Sequence, residues 1–258
     1  MSAPAQLSSL HASSGNALGR VHLQPAYLLH HRPYRDSSRI LELFTRDFGR
    51  VTVFARGARG GKKSAAALTS VLQPFHRMLV SWSGRGEAGQ LTGAEFDGAY
   101  RELAAARMMS GYYLNELLLR LFERHDAHAD VFALYDKTLA ALKALDEDES
   151  AALRVFEKRL LESLGYGLEL LRDIDGMAIQ SRSVYRYRIE QGASRIDGVA
   201  DAPLAVTGRS LLALAAEELS DAGVRADARR LLRAALDRYL EGRTLRSREV
   251  LTALRQMR

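Results

Sequence analysis

The stretch Ser37–Gly57 reads "SSRILELFTRDFGRVTVFARG". Its first half is rich in apolar and β-branched residues and halts at Asp47-Phe48-Gly49, a turn signal. Its second half alternates. Val51, Val53 and Ala55 fall on one face of a strand, and Arg50, Thr52, Phe54 and Arg56 on the other. The two halves predict a hairpin with one face suited to a core. More strands are predicted on either side. "VHLQPAYLLHH" starts at Val21, and Pro33 after it marks an edge or a bulge. "PFHRMLVSWSGRG" is closed by Gly84 and Gly86, and "GQLTGAEF" follows. The one helix expected here is the short "SAAALTSVL" ahead of Pro74. Five short strands in so small a span predict a small barrel or curled sheet.

From Arg101 the period becomes helical, with Leu103, Ser110, Leu114, Leu117 and Leu121 on one stripe. "ADVFALYDKTLAALKAL" and "DEDESAALRVFEKRLLESLGYG" predict two more helices, the second with an acidic start that suits a helix N-terminus. Residues 168–206 read as irregular, with "SVYRYRIEQG" as a possible ribbon strand. Thr207 is an expected N-cap for "GRSLLALAAEEL", and "RADARRLLRAALDRYLEG" and "SREVLTALRQM" predict the closing helices. The expected class is α+β: a loose tail over 1–20, a β domain over 21–98, and a mainly helical domain over 99–258.

The chain has 258 residues, 47 % hydrophobic and 26 % charged, which suits a globular protein of one large or two modest domains. It has no cysteine. Disulfides, thiolate chemistry and cysteine-based zinc sites are excluded, and a cytoplasmic setting is favoured. No run of 18 apolar residues predicts a membrane helix, and the N-terminus lacks the pattern of a secretory signal. The net charge of +6 is unevenly spread. Residues 21–98 carry +5, residues 99–180 carry −5 and residues 181–258 carry +5. Basic surfaces attract polyanions, although a merely solvated surface has the same composition.

The hairpin runs on into "ARGARGGKKS". This is no nucleotide-binding P-loop. Gly57 and Gly61 are separated by three residues where four are needed, and Lys62 is followed by Lys63, not by Ser or Thr. The density of cations is the stronger signal. Arg46, Arg50, Arg56, Arg59, Lys62 and Lys63 face Asp47 alone. Phe54 between Arg50 and Arg56 sets a ring between two guanidinium groups, which suits single-stranded nucleic acid because a ring stacks on any base. The alternative is that Phe54 packs under a loop and the arginines are only solvated.

Arg225, Arg229 and Arg233 form a second basic stripe, in which Arg233 could simply pair with Asp237. No catalytic constellation is present. The histidines form no H-x-x-x-H pair, and His125 and His128 sit at an expected helix end.

Several segments occur together and in order: "YLLHHRPYRDSSRILELFTRDFGRVTVFARGAR", "LQPFHRMLVSWSGRGE", "SGYYLNELLLRLF", "LRVFEKRLLESLGYG", "YRYRIEQG" and "LRSREVL". From about Gln24 to Leu254 the chain resembles the RecO family of bacterial recombination mediators. The resemblance implies an N-terminal OB-fold barrel, a helical C-terminal domain and a non-enzymatic role without cofactors. It implies binding of single- and double-stranded DNA and annealing of complementary strands, including strands coated by single-strand-binding protein (SSB). With RecR, such proteins promote RecA loading. On this reading Arg32, Arg35, Arg39, Arg50, Phe54, Arg56, Arg59, Lys62, Lys63, Arg77 and Arg85 are the expected DNA contacts. An OB-fold chaperone acting on RNA is the alternative.

Many members of the family carry a four-cysteine zinc site after the "LGYG" segment. This chain has Asp173 near the place of the first cysteine and no thiolate anywhere. The small ribbon must be held by packing, with Tyr185 and Tyr187 as candidates. The resemblance also implies that the helical domain receives the acidic, Phe-terminated tail of SSB. Arg154 in "ALRVFEK" is the expected cation for its carboxylate, unless Arg154 pairs with Glu157 on an exposed helix face.

Overall fold

A computed structural model of the chain describes residues 19–56, 68–84, 88–99, 101–144, 146–196 and 203–256. The expected tail up to residue 18, and Arg59, Lys62, Lys63 and Arg85, lie outside the described residues.

Strands β1 (Val21–Tyr34), β2 (Ser38–Thr45), β3 (Gly49–Ala55), β4 (Met78–Ser83) and β5 (Ala88–Phe96) form a closed barrel in the order β1-β2-β3-β5-β4. All pairings are antiparallel except that of β3 with β5. This is the five-stranded barrel expected, with OB topology. Leu41 opposes Val53 and Leu43 opposes Val51, and all four point into the barrel core with Trp82 and Met78. The apolar run of β1 does not alternate because both of its faces are covered. Ala26 and Leu28 enter the barrel, while Tyr27 and Leu29 enter the helical core. Pro33 interrupts nothing. It opposes Arg39 near the strand end, where a missing N–H costs little, and the register shift falls between Leu28 and His30.

The helical part contains α1 (Met108–Leu121), α2 (Ala129–Lys143), α3 (Glu149–Ser163), α4 (Gly208–Ala216), α5 (Ala222–Tyr239) and α6 (Arg246–Gln256). The first helix starts later than its sequence stripe. Leu103 is buried but lies ahead of α1, because the backbone is extended at Ala104 and then makes a single 3-10 turn over Ala105–Arg107. The Arg107 guanidinium donates to the carbonyls of Ala141, Leu142 and Ala144 and so caps the end of α2. Asp148 caps α3 through the Ala151 N–H, Thr207 caps α4 through that of Ser210, and Asp221 caps α5 through that of Val224.

The segment read as irregular holds a three-stranded antiparallel sheet in the order β7-β6-β8: β6 (Val184–Arg188), β7 (Gly192–Ile196) and β8 (Ala205–Thr207). Tyr185 and Tyr187 are its buried face. The Tyr185 hydroxyl accepts from the Gln180 N–H, and that of Tyr187 donates to the Glu169 carbonyl. Asp173 knits the preceding loop. Its carboxylate accepts from the Asp175 and Met177 N–H groups, and Ile174 N–H donates to Ala193 of β7.

Barrel and helices share a core. Tyr27, Leu29 and Phe44 leave the barrel, and Phe75 leaves the segment ahead of β4, to pack among Phe122, Phe132 and Tyr135. Each such side chain contributes about 1.5–3 kcal/mol on burial. Asn115 Nδ2 reaches the Leu29 carbonyl at 2.9 Å, and Lys143 Nζ the Phe75 carbonyl at 2.6 Å. Gly49 adopts φ +61° at the β2–β3 turn, and a Cβ there would lie 1.9 Å from the Asp126 oxygen. The turn thus requires glycine both for its conformation and for the approach of the helical domain.

Candidate nucleic-acid interface and an arginine cavity

The outer face of the β2–β3 hairpin changes character along its length. At one end Phe44 opposes Arg50, in the middle Glu42 opposes Thr52, and at the other end Ile40 opposes Phe54. Phe44 is buried among the helices. Arg50 donates to the Leu119 and Phe122 carbonyls at 2.8 and 2.5 Å and lies 3.6 Å from Glu42. Arg124 joins Glu42 at 2.7 Å. The expectation of an open Arg50 is therefore corrected: its guanidinium is used to cap the end of α1 at the domain junction. Arg77 lies 2.6 Å from Asp97 and 3.4 Å from Asp136 at the same junction, with its side chain partly exposed.

At the other end of the face Ile40 is buried and Phe54 and Tyr34 are half-buried. The Phe54 ring lies 5.2 Å from that of Tyr34, tilted by 47°, and the Arg35 guanidinium stands 5.2 Å over Tyr34. Arg32 opposes Ile40, which opposes Phe54, so the three form one cross-strand row. Arg32, Arg35 and Arg56 are exposed and Arg39 is half-buried. Burial holds His31 below its usual range, and nearby Arg39 and His30 add to this. Arg32, Arg35, Arg39, Phe54 and Arg56 thus gather at one end of the barrel. Tyr34 belongs with them and was missed by sequence reasoning. Its signal was its place between two arginines across the strand pair from Phe54.

A cavity of about 340 Å³ opens between α1, α3, α5 and α6. Arg154 lies on it but is 6 % exposed, and its partner Glu157 is 2 % exposed. Their 2.7 Å pair is joined by the Tyr113 hydroxyl, which donates to Glu157 at 2.6 Å. Burial pushes the Glu157 carboxyl up, against the pull of Arg154. Arg154 Nε and Glu157 Oε2 have no hydrogen-bond partner. Arg154, the expected cation for the tail carboxylate, is thus already paired with Glu157, and the pair is buried where the alternative reading had it on an exposed helix face. Arg229, Arg233 and Arg248 also line it, with Leu153 and with Glu149, whose carboxylate accepts from the Ser110 hydroxyl. Of the predicted stripe, Arg225 turns away. It donates to the Leu219 and Ser220 carbonyls and lies 3.4 Å from Asp148.

His128 Nε2 lies 2.9 Å from Asp126, and among the described residues no group of three His, Asp or Glu could hold an ion. With no cysteine in the chain, the residues present do not fit the zinc of the resembled family. Among the described residues no helix is long and apolar enough to cross a membrane.

An OB barrel with a basic-aromatic end, fused to a helical domain through a shared core, defines a two-part protein of the OB-fold class, whose barrels bind oligonucleotides or oligosaccharides. Comparison with known families gives the particular one. Residues 20–100 match the family model "Recombination protein O N terminal", and residues 104–249 match "Recombination protein O C terminal". The chain is 49 % identical over 231 residues to the DNA repair protein RecO of Alkalilimnicola ehrlichii, covering 89 % of this chain and 90 % of that one. It is 43 % identical over 244 residues to that of Dechloromonas aromatica, covering 94 % and 100 %, and 46 % identical over 232 residues to that of Methylococcus capsulatus, covering 90 % and 93 %. The chain belongs to the RecO family, and its role lies in DNA repair and recombination.

Proposed function

We propose that the chain is a non-enzymatic, cytoplasmic recombination mediator. It binds single- and double-stranded DNA on the basic-aromatic end of the barrel and anneals complementary strands. It receives the acidic tail of SSB in the arginine cavity, and with RecR it promotes RecA loading. The observation that carries the DNA reading is the Tyr34–Phe54 ring pair with Arg35 above it. Two rings offer stacking platforms to unpaired bases, and the surrounding guanidinium groups offer phosphate contacts. The cavity supports the tail reading because it sets four arginines beside Leu153 and Tyr113. An acidic peptide with a terminal aromatic ring needs both an apolar wall and cations.

Strand annealing tests both sites at once. Phe54→Ala removes a platform worth about 1–3 kcal/mol per base and should slow annealing of bare and SSB-coated DNA alike. Arg229→Glu acts at an exposed position on the cavity. It should leave bare-DNA annealing intact, abolish annealing of SSB-coated DNA and weaken tail-peptide binding about tenfold, or ~1.4 kcal/mol. Equal effects of Arg229→Glu on both DNA substrates would refute the division of labour.

A further inference from the structure

Arg233 and Arg248 stand on the wall between two cavities. One is the arginine cavity. The other, of about 510 Å³, lies between the end of α5 and α6 and is also lined by Arg243. Asp237 lines only the second and draws on both wall arginines. Its Oδ2 lies 3.6 Å from Arg233 Nε, and its Oδ1 accepts from Arg248 Nη1.

The place of Arg248 does not rest on Asp237. Glu116 of α1 anchors α6 by accepting from the Arg246 and Ser247 N–H groups, both at 2.9 Å, and from the Ser247 hydroxyl at 2.8 Å. The guanidinium also lies 5.5 Å over the Tyr113 ring and 3.3 Å from its hydroxyl. Asp237 therefore contributes charge more than position. It is half exposed, so the contact can be exchanged for another carboxylate without uncovering a buried charge.

We propose that Asp237 is an internal competitor for acidic ligands. In the ligand-free protein it occupies Arg233 and Arg248, and a peptide running from the arginine cavity over this wall must displace it. The inference rests on the reading of that cavity as the acceptor of an acidic C-terminal tail. It also assigns selectivity. A peptide whose only carboxylate is its C-terminus offers nothing in exchange for Asp237, whereas one with acidic residues upstream does.

The test uses two fluorescent peptides, an acidic one ending in Phe and the same peptide with its aspartates replaced by asparagine. Both are titrated by anisotropy at low salt against the full chain and the variants Asp237→Asn, Asp237→Ser and Arg229→Glu. Asp237→Asn and Asp237→Ser should each bind the acidic peptide about threefold tighter, the scale of one exposed charge pair, and should leave the asparagine peptide unchanged. Arg229→Glu should weaken both peptides. If Arg229→Glu weakens both while the Asp237 variants bring no gain, or an equal gain for the two peptides, the competitor role is wrong and the cavity reading stands. If Arg229→Glu changes neither peptide, the cavity reading falls and takes the competitor with it.

Discussion

Single residues carry the sharpest differences between what the sequence suggests and what the fold does. Strand alternation correctly sets Arg50 and Phe54 on one face of β3, opposite Val51 and Val53. It cannot say how far along that face a second domain reaches. Arg50 lies under the helices and Phe54 beyond them, so one face divides into a structural and a basic-aromatic part. Arg50→Ala should therefore lower the melting temperature and leave the Tyr34–Phe54 platform intact. Arg154 shows the same limit on a helix. Read alone it looks like a surface cation, yet α1, α5 and α6 close over it. Arg154→Glu would oppose two carboxylates in a buried site. Breaking a buried pair costs about 3–5 kcal/mol, so this variant should unfold at lower temperature and lower denaturant than Arg229→Glu. Equal stability of the two variants, measured by urea titration, would show that the Arg154 site is more open than its burial indicates.

Elements follow from the sequence in proportion to how locally they are determined. The β2–β3 hairpin and the capped helices are set by residues within a turn of one another: Gly49 for the hairpin, Asp148, Thr207 and Asp221 for α3, α4 and α5. The small sheet is not. Its strand β8 has three residues, and its loop is tied to β7 by Ile174 bonding Ala193. Such contacts have no periodic signature. The cavity was legible only in part for the same reason: Arg229 and Arg233 share one helix, but Arg248 arrives from another. In the sheet, the Asp173 carboxylate takes the role of a local cross-link through two backbone N–H groups. Asp173→Ala should cost about 1.5–3 kcal/mol, the scale of one net hydrogen bond to a charged acceptor, and hydrogen exchange at Met177 should rise. A chelator should leave the melting temperature of the parent chain unchanged. A fall on chelation would mean that the loop is held by a metal and not by Asp173.

At the scale of the whole molecule, the acidic middle segment acquires a role that composition alone did not reveal. Its carboxylates bind the basic segments on either side. Asp136 meets Arg77 and the Tyr27 hydroxyl from the barrel, Asp148 meets Arg225, and Glu116 holds the start of α6. The negative centre thus pairs with Arg77 at the junction between the barrel and the helices, and within the helical part Asp148 pairs with Arg225 and Glu157 with Arg154. The barrel and helices should then behave as one cooperative unit, because Tyr27, Leu29 and Phe44 of the barrel strands and Phe75 ahead of β4 are buried in a core shared with the helices. Cutting the chain after Ala99 would expose Tyr27, Leu29, Phe44 and Phe75, and at about 1.5–3 kcal/mol each the loss is comparable to the whole stability of a small domain. The isolated barrel should therefore fail to fold, and the intact chain should unfold in one calorimetric transition whose van't Hoff and calorimetric enthalpies agree. Asp136→Asn should shift that single transition downward without splitting it. Two resolved transitions in the parent chain, or a soluble barrel fragment with protected strand amides, would show that the junction joins two independent domains and that its buried contacts contribute less than their area implies.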